Sequence, residues 1–286
     1  MLNIVLDHGL NLFFLGGLGL AAYGSGRLVL ANVPFASFSE SLVFSTGLGF
    51  GLLSCAVFLV CNLGILYPGT VYALVGLWAA SALPGLLKVK GNGLEPKSFL
   101  PRGLSLWEKA ALFFLAIAFT LNLLLVLTPA IGKDALIYHL AVPKSFIAHH
   151  GFCSIEGNIF SHYPLNMEML YVVALTLRGE VLAKGLHFTM AMLILSGMWG
   201  FSNVYLKKGM PRFLTLLIFF SIPSVFVAAH VAYNDLTVAF YSFLAVYAFL
   251  NWFEREKPPW LVLCGVFCGL ALSTKYTALF SLFVGC

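Results

Sequence analysis

The sequence predicts an all-α protein: a polytopic transmembrane helical bundle of about eight spanning helices, with two juxtamembrane helices in the outer loop between helices four and five. Composition is the first reason. Of 286 residues, 60% are hydrophobic and 9% charged, with a mean hydropathy of +0.96, against roughly 45–50% apolar and 25% charged in soluble domains. The second reason is the recurrence of apolar runs near the ~20 residues that cross a bilayer as helix. The third is that these runs are continuous, whereas barrel strands would alternate, and only helices and closed barrels satisfy their backbone in lipid. The net charge of +5 does not point to nucleic acid, because the basic residues sit in short loops where they set membrane orientation.

Spans are expected at about 4–22, 41–62, 65–87, 109–130, 186–206, 212–232, 235–253 and 259–280. The first run lacks the basic start of a signal peptide and carries Asp7 and His8 instead, so it reads as a retained helix. Gly47/Gly51/Cys55 and Gly265/Gly269/Ser273 suggest close helix contacts, although Gly is common in membrane helices anyway. The linker 88–109, with Gly91, Gly93, Pro96 and Pro101, is the clearest composition shift. It divides the chain into 1–108, three N-terminal helices with a cytoplasmic linker, and 109–286, a core. Four of the six cysteines, Cys55, Cys61, Cys264 and Cys268, lie in apolar runs, so neither a disulfide framework nor a zinc pattern follows.

Residues 164–177, PLNMEMLYVVALTL, are too short to span and contain Asn166 and Glu168, which favours a helix lying on the outer surface. Charge bias agrees. With this segment lying down, eleven basic residues fall in inner loops (Arg27, Lys88, Lys90, Lys97, Arg102, Lys109, Lys207, Lys208, Arg212, Arg255, Lys257) against four outside (Lys133, Lys144, Arg178, Lys184). If it crosses, the count becomes eight to seven, almost no positive-inside bias.

That layout gathers three ionisable residues on the outer face: Asp134, Asp235 and Lys275. Ionisable groups bordering spans are costly and are functional candidates by default. Asp134 opens residues 133–151, KDALIYHLAVPKSFIAHHG, a helix expected to lie at the interface and to kink at Pro143. On a helical wheel Asp134, Tyr138, Ser145 and His149 share one side and Leu136, Leu140 and Ile147 the other. Asp134 is placed to be a general base, or merely to cap this helix. Lys275 could snorkel, and Asp235 could simply favour a helix dipole. His139, His149, His150 and His162 share the outer segment, but their spacing is not diagnostic of a metal. His187 and His230 read as packed or interfacial side chains.

With these residues placed, the part of the chain from Trp107 onward resembles the GT-C class of polytopic glycosyltransferases, in the branch related to dolichyl-phosphate-mannose protein mannosyltransferases and bacterial lipid A sugar transferases. Asp134 in KDALIYHLAVPKSF matches the acidic residue after the first core helix. Tyr163-Pro164-Leu165 in SHYPLNMEML matches the motif opening a juxtamembrane helix, Asp235 an Asp opening a later helix, and Lys275 in LSTKYTAL a Lys near the outer end of the next. Some relatives carry paired acidic residues where Asp134 is followed by Ala135; the three helices before Trp107 are extra to the usual core; and the chain stops at Cys286 without the class's further helices, so the core is expected to be incomplete.

The resemblance implies transfer of a sugar from a polyprenyl-phosphate donor to a lipid, glycan or protein acceptor on the outer face of the plasma (inner) membrane. Asp134 would be the base. Lys275 would take the phosphate, with Lys133 and Lys144 as alternatives; Tyr138, His162 and Tyr163 would shape the sugar pocket; Asp235 would orient Lys275 or bind sugar hydroxyls. No cofactor, metal or nucleotide-sugar site is expected. A transporter or flippase, in which Asp235 and Lys275 line a pathway, is the rival from another class, although no repeated halves or broken helices are evident in the sequence. An inactive assembly partner is the third reading.

Overall fold

The computed structural model describes residues 2–89, 103–206 and 211–280, and no strand occurs among them. The central part of the expected linker and part of the 207–212 loop lie outside the described residues. In chain order the helices are α1 (Leu2–Val29), α2 (Phe38–Asn62), α3 (Pro68–Val89), α4 (Leu106–Val126), α5 (Ala141–Ala148), α6 (Asn166–Leu177), α7 (Glu180–Tyr205), α8 (Pro211–Ser221), α9 (Pro223–Ala228), α10 (Asp235–Arg255) and α11 (Pro258–Thr274). A π-helical turn, Ala135–His139, precedes α5, and a 3-10 turn, Ile159–His162, precedes α6.

Local signals set these boundaries. Ser37 caps α2 by accepting from Glu40 N–H, and Ser105 with Glu108 forms a capping box on α4, each satisfying amide donors a helix start leaves open. Lys184, buried on α7, donates from Nζ to the carbonyls of Leu125 (2.7 Å) and Thr128 (2.8 Å), closing the C-terminal end of α4. It is therefore a helix cap within the bundle and not a loop charge. Asp7 on α1 pairs with Arg178 at the end of α6, so the acidic start of α1 has a partner.

Six helices among the described residues are long and apolar enough to cross a membrane: α1, α2, α3, α4, α7 and α10. The expected sixth span, 212–232, is divided between α8 and α9, because Pro223 has no N–H for the helix ladder and its ring crowds the preceding turn. The expected eighth span, 259–280, is helical only to Thr274; Lys275 is extended (φ −160°, ψ 135°), and helix resumes at Ala278. The chain is an integral, multi-pass membrane protein of polytopic helical form, but two helices are interrupted where continuous ones were expected.

The segment 133–151 also departs from a single kinked helix. It breaks at Leu140, three residues before Pro143, so that Pro143 falls in the first turn of α5, where a missing N–H is harmless. His139 and Leu140 turn inward while Leu136 and Ile137 are exposed, the consequence of the wide π turn. Residues Asn166 to Ala174 of α6 are all buried. This helix is too short to span, as expected, but it is wedged among α2, α5 and α7 and does not lie on a surface.

The first three helices share one hydrophobic core with the rest, α2 packing against α6, α7 and α10. Glycine explains the closest approaches: a Cβ on Gly26 would lie 1.8 Å from the Ser45 carbonyl oxygen, and one on Gly49 1.9 Å from that of Ala22. Gly47 and Gly51 do face neighbours, Leu244 and Leu270. Cys55, the third member of that stripe, is exposed; in the second stripe Gly265 and Gly269 meet nothing within 4 Å, and only Ser273 makes a contact, accepting from Asn166 Nδ2 (3.1 Å).

Candidate functional site

The start of α10 is where the segment 133–151, α6 and α11 meet, and its backbone is held firmly. His187 on α7 donates from Nδ1 to the Val231 carbonyl (2.8 Å) and accepts at Nε2 from Leu236 N–H (3.2 Å), which requires the neutral imidazole. The Tyr171 hydroxyl donates to the Tyr233 carbonyl. Between these two struts stand Asn234 and Asp235.

Asp235 accepts from Lys275 Nζ at 2.7 Å, the two side chains being 48% and 35% exposed. The pair is not sealed from solvent. The break after Thr274 carries the Lys275 side chain sideways to Asp235, and the backbone opening is closed in part by Asn234, whose Nδ2 donates to the Thr274 carbonyl (3.3 Å). The same Nδ2 donates to Glu168 Oε1 (3.3 Å), which also accepts from His139 Nδ1 (2.6 Å). Glu168 and His139 are each 1% exposed. His139 is thus a buried hydrogen-bond partner and not a surface histidine.

Asp134 stands at the N-cap position of the π turn and makes no capping hydrogen bond with its side chain. The bland reading of Asp134 as a cap loses its support. One turn on, burial first and then the negative charges of Asp134, Asp235 and Glu168 hold the Tyr138 hydroxyl far above its ordinary range, so it stays a neutral phenol.

A cavity of about 210 Å³ lies at this junction, lined by Tyr138, Phe160, Tyr163, Pro164, Leu165, Glu168, Asn234, Thr274, Lys275, Tyr276 and Thr277. Its wall is aromatic: Tyr138 stacks on Phe160 at 4.2 Å, Phe160 meets Tyr163 edge-on at 5.2 Å, and Tyr163 reaches Tyr276 at 6.2 Å. A second, apolar cavity of about 470 Å³ is lined by Ser54, Cys55, Phe58 and Leu59 of α2 together with Tyr163, Pro164, Leu165, Asn166, Met169 and Ser273. The two share Tyr163-Pro164-Leu165 as a common wall, and Phe58 and Leu59 are exposed on the flank of the bundle.

The structure therefore brings Tyr138, Tyr163 and Lys275 to one cavity and pairs Asp235 with Lys275, while Asp134, which lines neither cavity, is tied to the group through its charge on Tyr138. It leaves Lys133 and Lys144 exposed and outside both cavities. His162 is exposed and faces a third hollow, with Phe146, Phe152 and Cys153 on the other side of Tyr163. Among the described residues no three His, Cys, Asp or Glu side chains group as metal ligands. Glu168 and Asn234 are central here, yet in the sequence Glu168 served only as an argument against a span. A carboxylate inside an apolar stretch is itself the signal that could have found it.

No curated protein and no solved structure matches the chain. The family model described as dolichyl-phosphate-mannose-protein mannosyltransferase matches residues 212–286, a stretch that contains Asp235 and Lys275 but not Asp134, Tyr163 or Glu168. That match supports the resemblance to the GT-C class and, at the level of the family, a membrane glycosyltransferase that uses a lipid-linked sugar.

Proposed function

We propose that the chain transfers a sugar from a polyprenyl-phosphate donor to a hydroxyl-bearing acceptor on the outer face of the membrane, with Asp134 as general base. The observation that carries this reading is the meeting, across Tyr163-Pro164-Leu165, of an apolar, laterally placed cavity with a smaller, aromatic-walled one that Lys275, Glu168 and Asn234 also line. A donor with a long prenyl chain and a phosphosugar head needs those two environments in contact. The charge bias of the loops supports the outer face.

The chemistry follows from the placement. Asp134, whose carboxylate is uncommitted to any cap, takes the proton of the acceptor hydroxyl as its oxygen attacks the anomeric carbon. The bond from that carbon to the carrier phosphate breaks, and negative charge grows on the departing phosphate. Lys275 stabilises that charge from its place on the cavity wall. Asp235 holds the ammonium at 2.7 Å, giving it a fixed direction before the donor arrives. In this arrangement α2, one of the helices extra to the usual core, has a role as one wall of the carrier's groove.

The test is Asp134→Asn in purified, monodisperse protein, assayed for sugar release from polyprenyl-phosphate mannose and other polyprenyl-phosphate sugars. Turnover should fall about 10²- to 10⁴-fold. Near-normal turnover would remove the base assignment and make Asp235 the next residue to change. The interruptions of the helix ladder at Pro223 and Lys275 favour one other reading, since broken helices are common in transporters. Reconstituted protein that moves a labelled polyprenyl-phosphate sugar across vesicles without covalent transfer would establish that reading instead.

A further inference from the structure

Three buried polar atoms beside the small cavity have no hydrogen-bond partner among the described residues: Glu168 Oε2, Asn234 Oδ1 and His139 Nε2. Glu168 is 1% and Asn234 5% exposed, and both line the cavity. A buried acceptor left without a donor costs about 1–3 kcal/mol, so such atoms usually have a ligand or water to meet. Their arrangement says which kind. Glu168 Oε1 is already taken by His139 and Asn234, and the amide nitrogen of Asn234 is spent on Glu168 and Thr274. What remains free on both side chains is acceptor only. A phosphate, which brings further acceptors and negative charge, does not fit. Opposite these acceptors stands the aromatic wall of Tyr138, Phe160, Tyr163 and Tyr276. A molecule with hydroxyl donors on its edge and C–H groups on its face satisfies both surfaces.

We infer that Glu168 and Asn234 form the subsite for the hydroxyls of the transferred sugar, set apart from the phosphate position at Lys275. The inference rests on the glycosyltransferase reading and adds to it the end of the cavity that distinguishes one sugar from another. Glu168→Gln keeps the shape and keeps an acceptor for His139 and Asn234 while turning the free oxygen into a donor. It therefore changes the subsite without emptying it.

The experiment measures equilibrium binding of polyprenyl phosphate and of polyprenyl-phosphate mannose, glucose and galactose to the full chain in nanodiscs. Wild-type protein should bind at least one sugar-bearing carrier about tenfold or more tighter than the bare carrier, the scale of one or two well-placed hydrogen bonds. Glu168→Gln and Asn234→Ala should each erase that preference, Glu168→Gln leaving affinity for bare polyprenyl phosphate within about twofold, whereas Lys275→Met should weaken both carriers. Either variant that folds decides the point, judged by monodispersity. A wild-type protein that holds every carrier equally, or variants that keep the preference, would overturn the subsite and leave these atoms to bound water. A wild-type protein that binds no carrier at all would end the glycosyltransferase reading, and the subsite with it.

Discussion

Two buried glutamates mark the two ends of α10, and they are treated oppositely. Glu40, wholly buried, lies against the C-terminal end of the helix, where Oε1 accepts from Asn251 Nδ2 (2.7 Å) and from the Arg255 guanidinium (2.9 Å) while Oε2 accepts from Ala36 N–H and again from Arg255. The guanidinium also lies over Trp260, 5.0 Å from its ring centroid. Every lone-pair direction of that carboxylate is used. Glu168, about 30 Å away along a helix that rises 1.5 Å per residue, uses one oxygen and leaves the other bare beside a cavity. The lesson is that burial of a carboxylate says little by itself. Saturation makes Glu40 a strut tying α2 to α10, and incompleteness makes Glu168 a place for something else.

The comparison can be broken most severely at the proposed base. Asp134→Ala should lose activity as fully as Asp134→Asn, and because Asp134 makes no cap hydrogen bond, neither should lower the melting temperature by more than a degree or two. A variant that is both inactive and unstable would return Asp134 to the structural class with Glu40.

Next in size is the saturated end. Glu40→Ala strips a buried pair of one partner and leaves the Arg255 guanidinium, 20% exposed, without its counter-charge, a change that typically costs about 3–5 kcal/mol. Thermal unfolding in detergent should register it as the largest stability loss among these variants. If the protein that remains folded also lost donor affinity, the division between strut and site would fail.

Lys275→Met comes third. A charge-assisted contact to phosphate is worth about 1.5–3 kcal/mol, so donor affinity should drop about 10- to 150-fold, with little change in melting temperature because the Lys275 and Asp235 side chains are both well exposed. Unchanged donor use would leave Lys275 as a partner for Asp235 alone.

The smallest expected effect is also the sharpest contrast. Glu168→Gln should shift stability by less than about 1 kcal/mol, since its one used oxygen only accepts and an amide oxygen accepts as well. A loss comparable with that of Glu40→Ala would show that the Glu168 carboxylate is structural after all.

Much of this was legible from the chain. Apolar runs of membrane length mark α1, α2, α3, α4, α7 and α10, because the need to satisfy backbone groups in lipid leaves helix as the only use for such runs. The same rule singled out Asp134, Asp235 and Lys275, since charges near spans are rarely idle. The glycine stripes show the limit of such reading: Gly47 and Gly51 face neighbours while Gly265 and Gly269 face none, and nothing in the spacing separates the two cases.

Composition and spacing determine which residues are expensive to place in a membrane and which stretches must be helical, because those are properties of the chain against its solvent. Tertiary structure decided which expensive residues are satisfied. His139 and Glu168 became partners only because the π turn swings His139 inward toward a helix 29 residues further on. Lys275 met Asp235 only because α11 ends at Thr274. Hydrogen bonds reach about 3 Å, far less than the scale over which a sequence pattern predicts position, so the saturated Glu40 and the open Glu168 look alike until the helices are packed.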